Sequence, residues 1–178
     1  MEQSGRDAGD LVMGFLSPIR RQRDGRYRLR LDAGVRSLLR SVPEQVLPLL
    51  GSDDPMARRL NPPAYVGQDN AEAEAEYRQL VGGVLENHHR QALETLARTA
   101  DAETLSADEL NGWLAAVGTI RLVLGTRLDV SEDMAELEAD DPRLPEFALY
   151  QLLSVLQEAI IEVLAADLPE DGAPDGLP

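Results

Sequence analysis

The chain has 178 residues, of which 43% are hydrophobic and 28% charged; these values suit one globular domain and exclude a fibrous repeat or a wholly disordered chain. Its net charge of -15 argues at first sight against a nucleic-acid binder, because phosphates repel an acidic surface. It has no cysteine, which excludes disulfides, thiolate nucleophiles and thiol redox switches. All 17 basic residues other than histidine are arginines, a bias typical of a GC-rich bacterial genome.

The hydropathy pattern predicts a cytoplasmic protein without a membrane span. No run of 18 consecutive apolar residues is present, and acidic residues precede the mildly apolar segment 11–19, where a signal peptide needs positive charge. Residues 1–10 and 169–178 are polar and rich in small residues, so we expect disordered tails there. The remaining residues, 11–168, are predicted to form a single mainly helical domain with a small N-terminal β-hairpin.

The predicted hairpin consists of residues 15–20 and 26–31, because Asp24-Gly25 between two such runs is a strong turn signal. The second run alternates, so one strand face is basic and the other can pack against a core. The basic face carries Arg26, Arg28 and Arg30, the packing face carries Tyr27, Leu29 and Leu31, and Arg20, Arg21 and Arg23 lie at or near the tip.

Apolar residues at helical spacing predict the helices that follow. A helix capped by Asp32 is expected to kink or restart at Pro43, and Gly82-Gly83 is expected to bend or divide a second helical stretch. A capping box at Ser106 and Glu109 opens the clearest helix. The predicted order is helix to Gly51, loop 52–68 with a short turn near 56–60, helix 70–99, helix 107–128, acidic connector 129–142 and helix 145–168. The last helix is apolar over more than one stripe and is therefore expected in the core or in a subunit interface.

The sequence predicts no catalytic residue, no metal site and no cofactor. Glu86 and His89 have the Glu-x-x-His spacing of carboxylate-bridged di-metal sites, but His88 and His89 are the only histidines in the chain, so such a site lacks its other ligands. Solvent-exposed histidines are the preferred interpretation, and a metal-dependent enzyme at Glu86 and His89 is the weakest one. Phosphate-binding, dinucleotide-binding and nucleophile-elbow motifs are absent.

The charge is distributed unevenly along the chain. Residues 20–40 hold eight arginines and two aspartates, for a local balance of +6, whereas residues 129–178 hold fourteen acids and one arginine, for -13. A two-stranded ribbon fits the major groove of B-DNA, and its arginines could contact phosphates and guanine edges. The alternative is a basic face that is only solvated, or that docks on the protein's own acidic connector.

Several passages resemble an actinobacterial family of uncharacterised domains that includes the oxidative-stress transcription regulator AosR, over about residues 14–166. The resemblance implies a cytoplasmic regulator that acts at promoters, with a sigma factor, to control redox genes. In that family regulation involves cysteine oxidation, so the absence of cysteine excludes thiol sensing here. The most specific passage is Arg121-Leu122-Val123-Leu124-Gly125-Thr126-Arg127-Leu128 with Ser131-Glu132-Asp133; Gly25 to Asp32, Leu38 to Ser41, Pro63-Ala64-Tyr65, Glu76-Tyr77-Arg78 and Tyr150 to Leu153 support it.

Two interpretations of the family motif remain open. In the first, Arg121, Gly125, Thr126 and Arg127 form a helix end, with Gly125 in capping chemistry and the arginines paired to carboxylates such as Glu76. In the second, a ligand or partner site is built on Arg127.

The leading hypothesis for the whole chain is a non-enzymatic transcription regulator that contacts promoter DNA and forms a homodimer through apolar helices. The contacts would come from the hairpin and from the start of the following helix. The alternative is an acidic interaction module without DNA contact, whose hairpin grips an acidic partner in transcription or regulated proteolysis. The predicted DNA-contacting residues are Arg20, Arg21, Arg23, Arg26, Arg28 and Arg30.

Overall fold

The computed structural model describes residues 17–52, 54–60, 62, 64, 70–130 and 140–167, and it confirms a mainly helical fold with a small N-terminal sheet. The predicted tails and most of the acidic connector lie outside these residues. In chain order the elements are β1 (Ile19–Arg21), β2 (Tyr27–Leu29), α1 (Ala33–Val46) with a 3-10 turn (Leu47–Leu49), α2 (Pro55–Leu60), α3 (Ala71–Tyr77), a π-helical segment (Arg78–Gly82), α4 (Gly83–Thr99), β3 (Thr104–Leu105), α5 (Ala107–Leu128) and α6 (Leu144–Ala165).

The predicted hairpin forms, and a third strand joins it. β1 and β2 pair antiparallel, with Gly25 at a φ of +81° in the turn, and β3 pairs antiparallel with the other edge of β2. The alternation is as predicted, since Tyr27 and Leu29 are buried while Arg28 between them is exposed. β3 was not predicted, because two residues are too few to show a strand period. The ribbon is therefore one part of a three-stranded sheet that lies against the helices.

α1 was predicted to kink or restart at Pro43, and the restart does not occur there. Asp32 caps it as expected, its Oδ1 accepting a hydrogen bond of 2.9 Å from the Val35 N–H. The helix then continues through Pro43 to Val46, and the restart is the 3-10 turn that contains Pro48. Pro43 and Val46 are buried, so apolar packing of this face offsets the hydrogen bond that proline removes.

The glycine pair, predicted to bend or divide this helical stretch, changes the hydrogen-bond pattern there without ending the helix. Gly82 closes the π-helical segment and Gly83 opens α4, and both have ordinary helical φ and ψ. A Cβ built on either glycine meets no atom within 4 Å. α3 and α4 are therefore joined end to end through one wide turn, which accommodates an extra residue in the helix.

α5 is the central helix of the core. The predicted capping box is present: the Ser106 Oγ accepts from the Glu109 N–H at 3.2 Å, and the Glu109 Oε2 accepts from the Ser106 N–H at 2.9 Å. Trp113 is fully buried, and its Nε1–H donates to the Thr99 Oγ1 at 2.7 Å. α4 and α6 both pack on α5, and Leu93, Leu96, Leu153 and Ile160 of these two helices are buried.

α6 is the one helix in the described part of the chain that is long and apolar enough to cross a membrane. The prediction from run length missed it, because glutamates divide the apolar run, although an 18-residue window of this helix with no more than two charged residues has a mean hydropathy of 1.5. In the fold, α6 packs on α5, and Leu153 and Leu156 are buried. Only 22% of the apolar window is buried, so α6 packs on the core along one side only.

Candidate nucleic-acid interface and motif pocket

The six arginines predicted to contact DNA are divided by the structure into two sets. The outer face of the sheet carries Arg20 directly opposite Arg28 across the β1–β2 pair, with Arg30 two residues further along. Like charges at directly opposite positions destabilise a sheet unless an anion or solvent screens them. In the described residues no hydrogen bond or ion pair engages the exposed side chains of Arg20, Arg23, Arg28 and Arg30.

Arg21 belongs to the internal structure instead. It lies on the packing side, opposite Tyr27, and its Nε is 2.5 Å from the Asp167 Oδ1 at the end of α6. The Tyr27 hydroxyl donates a short hydrogen bond to the same carboxylate. These two hydrogen bonds lower the pKa of Asp167, and the bond to Asp167 raises the pKa of Tyr27. Arg21 therefore fastens the hairpin to α6.

Arg26 is also engaged within the domain. Its Nε donates to the Thr104 Oγ1 at 3.0 Å and its Nη2 to the Thr104 carbonyl at 3.1 Å, which holds β3 against β2. The Glu109 carboxylate lies 3.9 Å from the same Nη2. Arg26 thus links the start of β2 to β3 within the sheet.

The start of α1, predicted to assist the hairpin, has a structural role. Arg36 is half-buried and its Nη1 donates to the carbonyls of Ala100 and Ala102 at 2.8 and 2.7 Å, just past the end of α4. A cation at a helix C-terminus also complements the helix dipole. Arg40 forms an exposed ion pair of 2.5 Å with Asp101. The guanidinium groups of Arg36 and Arg40 are thus engaged within the domain, and neither residue belongs to the unpaired set.

Arg121 of the family motif faces neutral groups, which contradicts the expected pairing with Glu76. Its Nε donates to the Ser154 Oγ at 3.0 Å, its Nη1 donates to the Gln157 Oε1, and its Nη2 lies 3.4 Å from the Tyr150 hydroxyl. The guanidinium carbon is 5.1 Å from the centre of the Tyr150 ring, within the range of a cation–π contact. Arg121 therefore joins α5 to α6 without a carboxylate among the described residues.

The remaining motif residues lie at the C-terminal end of α5, as expected, but the residue that terminates the helix is not Gly125. Gly125 lies inside the helix and Asp129, at φ 52° and ψ 46°, is the left-handed residue that terminates it. A Cβ at Gly125 would lie 3.5 Å from the Tyr150 ring, which is an ordinary van der Waals contact, so packing against Tyr150 does not require glycine there. Arg127 pairs with Glu146 at 3.1 Å rather than with Glu76, and both ends of that pair are accessible to solvent. Thr126 bonds back to the Leu122 carbonyl at 2.8 Å.

A cavity of about 350 Å³ opens beside the motif. Arg121, Tyr150 and Gln157 form part of its lining, and Arg59 of α2 and Asp129 also contribute to it. The sequence interpretation missed Tyr150, Ser154 and Gln157 as a set. Their spacing is a detectable signal, because positions 150, 154 and 157 share one helix face and give an apolar helix a polar stripe.

The histidines do not behave alike. His88 is exposed, as preferred from the sequence, but His89 is half-buried and its Nδ1 is 2.9 Å from the Thr119 Oγ1. Burial, and to a smaller degree the neighbouring His88, lower the pKa of His89. Glu86 pairs with Arg90 at 2.8 Å. Across the ranges that the structure describes, no three potential ligand side chains form a metal site.

Fold and surface together define a class: a small, mainly helical domain that presents unpaired arginines on the outer face of a three-stranded sheet. Residues 16–164 match the family described as a domain of unknown function, DUF2017, and the chain belongs to that family. The resemblance predicted from the sequence is thereby confirmed.

Named relatives include two mycobacterial proteins. The chain is 29% identical over 130 residues to the putative oxidative stress regulator AosR of Mycobacterium leprae, covering 64% of this chain and 60% of that protein. It is 36% identical over 76 residues to the oxidative stress regulator AosR of Mycobacterium tuberculosis strain H37Rv, covering 42% of this chain and 35% of that protein. The matches thus cover 60% or less of these relatives' length. No solved structure shows a significant match.

Proposed function

We propose that this protein is a non-enzymatic, cytoplasmic regulator of transcription in the stress response, which contacts promoter DNA through the outer face of its N-terminal sheet. The names of the relatives support the regulator role. The observation that supports the DNA contact is the exposed set Arg20, Arg23, Arg28 and Arg30, for which the described residues supply no counter-charge.

The sheet geometry favours phosphate contacts over base reading. One face of the hairpin is packed on the core through Ile19, Tyr27 and Leu29, and β3 covers one edge, so the ribbon is not free to enter a groove to its full length. Arginines that lie across an exposed sheet face can still bind consecutive phosphates, and such contacts position a protein on DNA without specifying sequence. Sequence selection would then come from a partner such as a sigma factor.

The experiment is a salt titration of DNA affinity. Fluorescence anisotropy measures binding to duplex DNA from the protein's own upstream region between about 50 and 200 mM NaCl. Each phosphate contact adds about 0.9 to the slope of log affinity against log salt, so R20Q/R28Q/R30Q should make the slope shallower by roughly three units. The matched control R78Q/R90Q/R127Q removes the same charge from arginines that pair with carboxylates and should leave the slope unchanged.

Equal slopes in the two triple variants would contradict the site assignment. If the wild-type protein binds no DNA under these conditions, the remaining candidate is the acidic interaction module, which the net charge of -15 favours. Mass spectrometry of proteins that co-purify with the wild type, but not with R20Q/R28Q/R30Q, would then identify the protein that binds Arg20, Arg28 and Arg30.

We also propose a homodimer through α6. Val155 and Ile161 are 58% and 49% exposed on this helix, although most of its other large apolar side chains are buried or half-buried. Exposed apolar side chains of this size on one helix suit a subunit contact.

A further inference from the structure

The half-buried guanidinium of Arg121 lacks the counter-charge that such a group ordinarily has. A charge withdrawn from water is stable when it is paired or fully hydrogen-bonded. Arginine has five N–H donors, and Ser154, Gln157 and Tyr150 accept three of them. Among the described residues, the other two donors, both on the terminal nitrogens, have no acceptor.

The space beside Arg121 is left open by small residues. Gly118 and Gly125 stand three residues before and four residues after Arg121, so all three share one face of α5. A Cβ at Gly118 would meet only the Gln157 Nε2, at 4.0 Å. The cavity of about 350 Å³ therefore reaches the helix backbone next to the guanidinium, and it has room for a small molecule rather than a single ion.

The charges and walls of the cavity select the class of ligand. Arg121 and Arg59 contribute two positive charges and Asp129 one negative charge, so the net charge suits a monoanion. Leu122, Val130 and the Tyr150 ring supply apolar wall. Two N–H donors on one planar guanidinium match the two oxygens of a carboxylate.

We propose that this cavity binds a small organic monocarboxylate, whose carboxylate forms a bidentate pair with Arg121 and whose apolar body lies against Tyr150 and Leu122. The proposal concerns ligand binding alone and does not depend on DNA binding. A protein of this family without cysteine would in this way have a site that responds to a metabolite.

The first experiment measures binding of probes to the full chain by calorimetry and by the Arg Nε–H signals in ¹H–¹⁵N spectra. The probes are acetate, benzoate and salicylate, with neutral benzyl alcohol and with phenyl phosphate, which carries nearly two negative charges. We expect benzoate or salicylate to bind with a dissociation constant on the order of 1 mM and to shift the Arg121 signal. Benzyl alcohol and phenyl phosphate should bind at least tenfold more weakly.

Two variants test the position of the site. R121Q removes the guanidinium, and G118L keeps Arg121 but fills the cavity, at a place where leucine also favours the helix. Both should weaken binding at least tenfold, whereas R127Q, which removes an equal charge from the same helix outside the cavity, should change it less than twofold.

Three results would overturn the proposal. These are no carboxylate binding below 20 mM by the wild type, equal binding by the G118L protein, and binding of phenyl phosphate or benzyl alcohol as tight as that of the carboxylates. If the R121Q protein does not fold, the G118L result still decides the question, because G118L leaves Arg121 itself in place.

Discussion

Individual arginines in this protein have different roles although the sequence presents them as one cluster. Arg21 and Arg26 fix the sheet, and Arg36 satisfies carbonyls beyond the end of α4. The alternation of β2 correctly predicted that Arg28 is exposed, because strand period depends on local sequence. The partners of Arg21 and Arg26 could not be predicted, since Asp167 and Thr104 are distant in sequence and are brought near only by the tertiary fold.

Thr99 illustrates a single polar residue that the core requires. Its hydroxyl accepts the Trp113 indole N–H and donates to the Thr95 carbonyl at 2.7 Å, and Thr99 is only 6% exposed. T99V keeps the shape but leaves a buried indole N–H without an acceptor, so it should lower the free energy of unfolding by about 1–3 kcal/mol. Urea denaturation followed by Trp113 fluorescence measures the change.

T126V is the matched control for this prediction. Thr126 makes the same kind of bond to a helix carbonyl, at 2.8 Å to Leu122, but no buried donor depends on its hydroxyl. Its effect should stay within about 0.5 kcal/mol. Equal effects of T99V and T126V would show that the indole bond contributes nothing specific.

Helix boundaries were predicted well where they depend on local chemistry. The Asp32 cap and the Ser106–Glu109 capping box place the starts of α1 and α5 correctly, because capping uses side chains within three residues of each other. Pro43 was predicted to kink or restart its helix, and Gly82-Gly83 to bend or divide the next one. Neither position ends the helix, because propensity is a weak prior that packing and a π-helical turn can override. Element type thus followed from sequence, whereas continuity depended on tertiary contacts.

The glycine pair offers a test at the scale of the element. Gly82 and Gly83 adopt helical backbone angles and nothing lies within 4 Å of an added Cβ, so G82A/G83A should raise the free energy of unfolding by roughly 1–2 kcal/mol. Thermal and urea denaturation measure it.

G51A is the opposite control for the glycine pair. Gly51 has a φ of +73°, and a Cβ there would lie 2.7 Å from the Glu86 Oε2. The variant should therefore lose about 1 kcal/mol or more. A loss of stability in G82A/G83A would instead mean that the π-helical segment requires glycine.

Net charge, at the scale of the molecule, misleads in two ways. The total of -15 conceals the basic segment 20–40, and the local sum of +6 in turn overstates the charge available to a partner. Four of its eight arginines are bound within the domain, namely Arg21, Arg26, Arg36 and Arg40. The sequence therefore predicted where the candidate surface lies, but only the fold distinguishes the arginines that remain accessible.

The proposed dimer is tested at this scale. V155E/I161E places two charges on the exposed surface of α6 without replacing a buried residue, so the fold should persist while a dimer through this surface dissociates. Sedimentation equilibrium should give a monomer for the variant and a dimer for the wild type. L80E/V84E, which alters exposed apolar residues of the π-helical segment and of α4, serves as the control and should remain dimeric. A wild-type monomer at all concentrations would exclude the dimer.

The contact of Tyr27 and Arg21 with Asp167 has a consequence for the order in which the protein is made. The hairpin is synthesised early, but Thr104, which secures it through Arg26, comes 78 residues later, and Asp167 comes 140 residues after Tyr27. A ribosome must therefore translate nearly the whole domain before the sheet can acquire its final support. Until then, the surface that carries Arg20, Arg28 and Arg30 belongs to a segment that lacks these tertiary contacts. It becomes a defined surface when the end of α6 emerges.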